Sequence, residues 1–388
     1  MGMWIGRGRK ARRSYGFDEI ALVPGGVTYD PADVDTSWEV GGMRFNVPVI
    51  AAAMDGVVGP EFAVEMSKLG GFAVLNLEGV QTRYENPANV IDDIVSASPE
   101  EATHIIQGIY DRPIREDQVA ARVSQIKDGG GVAAVSCTPQ KAKRFGKIAQ
   151  EAGADIFVVQ STVTTVKHHS SRYESLDFEK FCKDMKIPVL VGNTVSYQVA
   201  LELMETGIDG LLVGVGPGAA CTTRGVLGVG VPQVTATADC AAARDFFLKY
   251  HGRYVPIITD GGMTTSGDIC KAFAVGADAA MVGSALARAK EAPGKGFHWG
   301  MATSHANLPR GTRIRVGTSG TLREIIMGPA KIDDGTQNLL GALATCMASV
   351  GARDIKELQL TEVVIAPAIR TEGKIFQAAQ NVGQAKRG

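Results

Sequence analysis

The segment GVGPGAACTTRG, at residues 214–225, places one cysteine at the end of a glycine-rich loop. Cys221 is followed by Thr222, Thr223 and Arg224, whereas a buried structural cysteine has apolar neighbours. A thiolate is a strong nucleophile, and neighbouring groups can activate it near neutral pH. The pattern therefore predicts a nucleophilic cysteine whose threonines bond a leaving group or a developing charge. A small hydrophobic side chain in a loop is the alternative interpretation.

Glycines and polar side chains also follow two later apolar runs, as DGG at 260–262 and GS at 283–284. Glycines let backbone N–H groups approach an anion, and Ser284 adds a hydroxyl, so the pattern predicts a phosphate site. Asp260 has the wrong charge for a phosphate ligand and suits a ribose diol beside it. Together these residues predict a nucleotide site, with ordinary turn glycines as the alternative.

Eight short apolar runs supply the elements that would position these residues. They are continuous rather than alternating, which is typical of strands buried on both faces of a parallel sheet. Helix-like segments lie between them, and most end in glycine. Eight such units predict an α/β fold, a (β/α)8 TIM barrel in one domain over 1–388, with a doubly wound open sheet as the alternative. The runs are 49–54, 72–76, 132–136, 155–159, 188–192, 210–214, 256–260 and 278–282.

Active residues of such a barrel lie just past the carboxyl ends of its strands. The positions after strands six, seven and eight hold the cysteine loop and the two glycine turns described above. The earlier strands add further candidates, which are Met54 and Asp55 after strand one, Gln160, Ser161 and Thr162 after strand four, and Asn193 after strand five.

Four segments lie outside the βα pattern. Residues 1–13 are basic, and we expect a solvated tail, with a polyanion-binding arm as the alternative. Residues 78–128 are charged and too long for a standard crossover. Residues 289–331 follow strand eight and are interpreted as a flap, since loops of this length are usually lids or binding loops. Residues 365–388 form a C-terminal tail that we expect to pack on a neighbouring subunit.

Composition excludes several function classes. A net charge of −1 over 388 residues gives no global field for nucleic acid or membrane. No apolar run is long enough to span a bilayer, and no signal peptide is recognisable. The six cysteines contain no CxxC pair, which argues against a zinc site or a disulfide framework and for a reducing, cytoplasmic compartment.

Several of these motifs resemble the IMP dehydrogenase/GMP reductase family. They are GVGPGAACTTR, AAAMD, VGN at 191–193, YGFDEIALVP at 15–24 and ITDGGMTTSGDICKAFAVGADAAMVGS at 258–284. The resemblance runs over most of residues 14–290 and is weak beyond. It implies a barrel that assembles as homotetramers, with stacking to octamers left open. It also implies that Cys221 adds to C2 of a purine nucleoside monophosphate while hydride passes between C2 and NAD or NADPH.

Carried over residue by residue, the resemblance implies specific roles. Asp260 would hold the ribose, Asn193 would line the nucleotide pocket, and Met54 would pack near the base. The remaining implied roles are the phosphate for Gly262, Gly283 and Ser284, the nicotinamide side for Gln160, Ser161 and Thr162, and a potassium ion for the carbonyls of Gly216, Gly218 and Cys221.

The chain also departs from the family. Residues 78–128 are too short for the paired CBS modules of IMP dehydrogenases. Those enzymes activate water with an Arg–Tyr pair on the flap, but the last tyrosine here is Tyr254. Arg310, Arg313 and Arg315 remain without that partner. The tyrosine that often supports the phosphate is missing too, and His298 and Trp299 occupy its neighbourhood.

These departures favour GMP reductase, which converts GMP and NADPH to IMP and ammonia and needs no activated water. Thr223 and a flap acid, Glu324, would handle the amino group. Two alternatives remain open. One is IMP dehydrogenase, which converts IMP, NAD and water to XMP, and the other is a nucleotide-binding regulator with little turnover. None of these functions requires a nucleic acid or membrane partner.

Overall fold

Eight parallel strands close into a barrel, and each pairs with its neighbours in chain order. The computed structural model describes residues 2–300, 311–369, 371–380 and 382–383. The predicted barrel is confirmed, and the open sheet is wrong because the eighth strand pairs with the first. The strands are β1 Val49–Ala51, β2 Phe72–Asn76, β3 Ala134–Cys137, β4 Ile156–Gln160, β5 Val189–Thr194, β6 Gly210–Val213, β7 Ile257–Asp260 and β8 Ala279–Val282.

The burial of the strands explains their continuous apolar sequences. Almost every strand residue is buried, because one face fills the barrel interior and the other packs under the helices. Gln160 and Asp260 are the two strand residues of the barrel that are only partly buried. Both are the last residues of their strands, where the barrel opens at its carboxyl end.

A helix follows each strand and covers the barrel. Pro60 and Pro139 stand at the first position of their helices, where proline is favoured. No helix in the described ranges is long and apolar enough to cross a membrane. The barrel helices are α1 Pro60–Lys68, α2 Glu116–Asp128, α3 Pro139–Glu151, α4 Phe178–Asp184, α5 Tyr197–Glu205, α6 Gln233–His251, α7 Ser266–Ala274 and α8 Leu339–Val350.

The long segment between β2 and α2 is helical. Two helices, Pro87–Ser96 and Pro99–Tyr110, precede α2, and we call residues 87–110 the helical insert. Each helix begins with proline, and the Ser98 side chain accepts a hydrogen bond from the N–H of Glu101 at 3.3 Å.

The segment after β8 contains a two-stranded antiparallel hairpin. Phe297–Trp299 pairs with Arg313–Arg315, and we call this pair the flap hairpin. Residues 301–310, including Arg310, lie outside the described residues. A second apolar cluster joins the hairpin to the helical insert, with Val80, Ile91, Ile94, Ile106, Tyr110 and Trp299 buried in it.

Both termini carry small elements that the sequence did not predict. Met3–Gly6 and Arg9–Ala11 form an exposed hairpin within the expected basic tail. Val363–Ile365 pairs with Ile20–Leu22, so the predicted C-terminal tail begins at the end of a strand. The remaining elements are the strand pair Trp38–Val40 and Met43–Phe45, the short helices Thr223–Leu227, Leu322–Ile326, Ile355–Leu358 and Ile375–Gln380, and the 3-10 turns Phe17–Glu19, Pro31–Asp33, Val80–Thr82 and Leu286–Arg288.

Candidate active site

A cavity of about 410 Å³ opens at the carboxyl ends of the barrel strands. Residues at or just beyond the ends of all eight strands line it, together with the flap hairpin. Every predicted site residue except Asp55 and Glu324 lines this cavity. Its charged side chains, among the described residues, are Glu78 and Asp260.

The cysteine loop follows β6 and packs against the turn after β7. Gly214 has φ +150°, and a Cβ there would lie 2.4 Å from the carbonyl oxygen of Asp260. Gly216 has φ +72°, a left-handed conformation that favours glycine, and a Cβ there would meet the Arg224 side chain at 2.7 Å. These glycines therefore allow the close approach that brings Cys221 into the same cavity as Asp260.

Cys221 is exposed to the cavity, and its thiol lies 3.2 Å from the Thr223 hydroxyl oxygen. Thr223 begins the short helix Thr223–Leu227 and is buried. Arg224 ties the loop together by donating to the carbonyls of Val215 at 3.1 Å and Val231 at 2.6 Å. The loop thus presents an accessible sulfur with a fixed hydroxyl beside it.

Asp260 sits in a network of side-chain amides. Its Oδ2 accepts hydrogen bonds from Asn193 Nδ2 at 2.8 Å and from Gln160 Nε2 at 2.9 Å. Burial raises the pKa of Asp260 to about 6, against these two hydrogen bonds that lower it. Gln160, predicted on the cofactor side, is therefore also part of the Asp260 network.

The predicted phosphate turns directly follow β7, at Gly261 and Gly262, and β8, at Gly283 and Ser284. Gly261 and Gly262 have φ +78° and +79°, and a Cβ on Gly262 would meet Pro217 of the cysteine loop at 3.0 Å. Ser284 Oγ lies 3.1 Å from His298 Nε2. Burial lowers the pKa of His298 to about 4, so its imidazole is neutral near pH 7.

The other predicted contacts surround this centre. A Cβ on Gly283 would lie 2.8 Å from the Met54 sulfur, so Met54 packs directly on the predicted phosphate turn. Ser161 and Thr162 line the cavity beyond Gln160. The carbonyl of Gly218 accepts the Cys221 N–H at 3.0 Å, which leaves a lone pair for a cation.

The structure does not bring Glu324 to the cavity. Glu324 is the third residue of the helix Leu322–Ile326, and its carboxylate accepts the Thr321 N–H at 2.8 Å in a capping box. It also pairs with Lys331. The Lys331 ammonium and the Thr321 N–H lower the pKa of Glu324 to about 2. The carboxylate is therefore committed to a helix end rather than to substrate.

Asp55 follows Met54 but faces away from the cavity. It is 1 % exposed and accepts the Val80 N–H at 2.8 Å and the Tyr110 hydroxyl. The Tyr110 oxygen in turn accepts the Trp299 indole N–H at 3.0 Å. Burial raises the pKa of Asp55 to about 6. This carboxylate links the helical insert to the flap hairpin.

Sequence reasoning missed the cavity residues after β2 and β3. Asn76 ends β2, Ser136 lies in β3, and Thr138 follows β3, so the strand-end rule could have found them. Glu78 is 4 % exposed, accepts the Thr138 N–H at 2.6 Å and pairs with Lys141 at 2.6 Å. Glu78 lies two residues beyond β2. A charged residue in this apolar stretch is the sequence signal that could have identified it as a site residue.

Comparison with known proteins indicates the family of the chain. A family model described as IMP dehydrogenase / GMP reductase domain matches residues 14–374. An uncharacterized oxidoreductase of Mycolicibacterium smegmatis is 38% identical, over 92% of this chain and 97% of the relative. The inosine-5'-monophosphate dehydrogenase of Borreliella burgdorferi is 30% identical, over 89% of this chain and 91% of the relative.

A solved structure gives the same result. The crystal structure of an IMP dehydrogenase/GMP reductase-like protein from Corynebacterium glutamicum superposes with a TM-score of 0.89 at 35% identity, covering 94% of this chain and 97% of that one. Together with the family model, which matches most of the residues, it shows that the chain belongs to the IMP dehydrogenase/GMP reductase family of oxidoreductases.

Proposed function

We propose that the chain oxidises or reduces a purine nucleoside monophosphate at C2, with Cys221 as the covalent nucleophile. The observation that carries this proposal is the exposed Cys221 sulfur, 3.2 Å from the Thr223 hydroxyl, in one cavity with Asp260 and the phosphate turns. Asp260 accepts the ribose hydroxyls, and Ser284 with the glycine turns holds the phosphate. Gln160, Ser161 and Thr162 would hold a nicotinamide cofactor, which would supply the hydride chemistry at C2.

The direction of the reaction depends on the groups that handle ammonia or water. GMP reduction needs an acid for the leaving amino group, and Glu324 caps a helix outside the cavity. Of the two acids in the described lining, Asp260 is held by Asn193 and Gln160, and Glu78 by Thr138 and Lys141. A relative with a named activity, from Borreliella burgdorferi, is an IMP dehydrogenase. These observations favour oxidation of IMP to XMP, in which the Cys221 thioimidate is released by water.

GMP reduction is the second candidate. No tyrosine follows Tyr254 in the chain, so the water-activating pair of the dehydrogenases is incomplete. General-base catalysis typically contributes about 10²–10⁴-fold, so an oxidation without it is slow at the hydrolytic step. Thr223, whose hydroxyl lies beside the Cys221 sulfur, is available to both the oxidation of IMP and the reduction of GMP.

A single pair of assays decides the direction. IMP with NAD should produce the near-ultraviolet absorbance of reduced nicotinamide, whereas GMP with NADPH should lose that absorbance and release ammonia. Cys221→Ala should abolish turnover while nucleotide still binds, and Cys182→Ala, a partly buried cysteine on α4, is the matched control. Turnover retained in Cys221→Ala would contradict the covalent mechanism. Nucleotide binding without turnover of either pair would favour the regulator.

The remaining parts of the proposal concern ligands and assembly. Gln160, Ser161 and Thr162, which line the cavity, would contact the nicotinamide of NAD or NADPH. The carbonyls of Gly216, Gly218 and Cys221 would hold potassium, since carbonyl oxygens can replace its hydration shell. Stimulation of turnover by potassium over sodium tests the cation, and sedimentation tests the homotetramer.

A further inference from the structure

The charged side chains of the cavity lining bear on how the cavity could hold a phosphate. The described lining contains two carboxylates, Glu78 and Asp260, and no lysine or arginine. Among the described residues, the donors available to a phosphate dianion there are neutral, namely backbone N–H groups of the glycine turns and the Ser284 hydroxyl. The strength of such a neutral hydrogen bond depends on its direction.

His298 lies against this site and has no part in the chemistry proposed at C2. It is 1 % exposed and lines the cavity, and its Nε2 lies 3.1 Å from Ser284 Oγ. Its Nδ1 is buried and has no hydrogen-bond partner among the described residues. An unpartnered nitrogen in a side chain this deeply buried calls for an explanation.

The unpartnered nitrogen decides where the imidazole proton lies. A neutral imidazole has one donor nitrogen and one acceptor nitrogen. A proton on Nδ1 would leave a buried N–H without an acceptor, which is rarer than a lone pair left unused. The proton therefore lies on Nε2, which donates to Ser284 Oγ. The Ser284 hydroxyl is then free to donate its own hydrogen to an anion.

The flap hairpin fixes His298 in this position. Successive side chains of a strand point to opposite faces. Phe297 and Trp299 pack into the apolar cluster against the helical insert, which leaves His298 on the cavity face. The Trp299 indole also donates to Tyr110 at 3.0 Å. The insert therefore holds the strand from which His298 reaches Ser284.

We infer that His298 is a positioning residue for substrate, which holds the Ser284 hydroxyl so that it donates to the phosphate of the nucleotide. This inference rests on the proposed function, because it requires a purine nucleoside monophosphate in the cavity. It adds to the barrel's own phosphate turns a recognition element that comes from the flap hairpin.

The test separates the phosphate from the rest of the ligand. Calorimetric titration measures the affinity for IMP, and competition against IMP measures the affinity for inosine, which lacks the phosphate. His298→Ala should weaken IMP binding about tenfold, the loss of roughly one well-placed hydrogen bond, and leave inosine within about twofold. His298→Gln, which retains an N–H, should recover part of the loss. His104→Ala, exposed on the insert, is the control.

A double variant provides the readout that a purely structural role would not give. Because His298 acts through Ser284, adding His298→Ala to Ser284→Ala should cause no further loss of IMP affinity. Additive losses, equal losses for IMP and inosine, or unchanged IMP affinity in His298→Ala would each overturn the inference and leave the proposed function standing. A wild-type protein that binds neither IMP nor GMP would overturn the proposed function itself.

Discussion

Removing the hydroxyl of Tyr110 tests the link between the helical insert and the flap hairpin. Tyr110→Phe keeps the ring and creates no cavity, but it deletes the oxygen that donates to Asp55 and accepts from Trp299. A hydrogen bond to a charged group contributes about 1.5–3 kcal/mol, and a buried N–H left unpaired costs about 1–3 kcal/mol. We expect the free energy of unfolding to fall by about 3 kcal/mol at pH 8.

The loss of unfolding free energy in Tyr110→Phe should be larger at pH 8 than near pH 4. Burial raises the pKa of Asp55 to about 6, above the value of about 3.9 in an unfolded chain. The folded protein therefore binds this proton more tightly, and stability falls as pH rises from about 4 to about 6. The Tyr110 hydroxyl favours the ionised carboxylate, so its removal raises the pKa of Asp55 further. The fall in stability of the variant therefore extends to higher pH. Near pH 4 the variant should lose only about 1 kcal/mol, from the unpaired Trp299 N–H.

Urea unfolding at the two pH values measures this difference, and hydrogen–deuterium exchange over residues 87–110 localises it. Tyr250→Phe is the control, because Tyr250 is 62 % exposed and should change stability by less than about 0.5 kcal/mol. A loss of equal size at both pH values would show that the hydroxyl does not bond an ionised carboxylate. A loss below about 1 kcal/mol at pH 8 would refute the buried network altogether.

Three further variants test other parts of the structure. Arg313→Ala should lower the free energy of unfolding by about 1–2 kcal/mol and speed hydrogen–deuterium exchange in the helical insert, because the Arg313 guanidinium donates to three insert carbonyls. Arg323 is exposed, and Arg323→Ala should do neither. Glu324→Gln should keep turnover within about twofold, since its carboxylate lies outside the cavity; a large loss would restore its catalytic assignment. Affinity for inosine, which has the ribose but no titrating phosphate, should rise with pH up to about 6 as Asp260 ionises, and Asp260→Asn should bind weakly with a flat profile in the same titration.

The barrel and most of its site could be predicted because both rest on local signals. A continuous apolar run shows that both faces of a strand are buried, and the strand end then shows where a side chain meets the cavity. The strand ends alone predict Met54, Asn193 and Asp260 as site residues, and all three line the cavity.

Glu324 shows where the same approach fails. Position and charge alone suggest an acid in the flap. The sequence around it, TLRE at 321–324, also matches a capping box, in which Thr321 and Glu324 cap each other's backbone N–H groups. This capping-box pattern is a local sequence signal, and it predicts that Glu324 caps a helix start rather than acts as a catalytic acid.

The network around Asp55 could not be predicted from any local pattern. Trp299 and Tyr110 are 189 residues apart, and Tyr110 and Asp55 are 55 apart. Nothing in the sequence of the helical insert indicates that its last residue meets a buried carboxylate. Such contacts depend on which strands are neighbours, and a single apolar run carries no information about its neighbours.

Closure of the barrel is the reason that these segments meet. The insert follows β2 and the flap hairpin follows β8, and β1 pairs with both strands. Asp55, which lies just beyond β1, therefore stands between two segments that an open sheet would place far apart. Its carboxylate binds Val80 beyond β2 and, through Tyr110, Trp299 beyond β8. The position of His298 beside Ser284 is thus set by the same closure that brings Cys221 and Asp260 into one cavity.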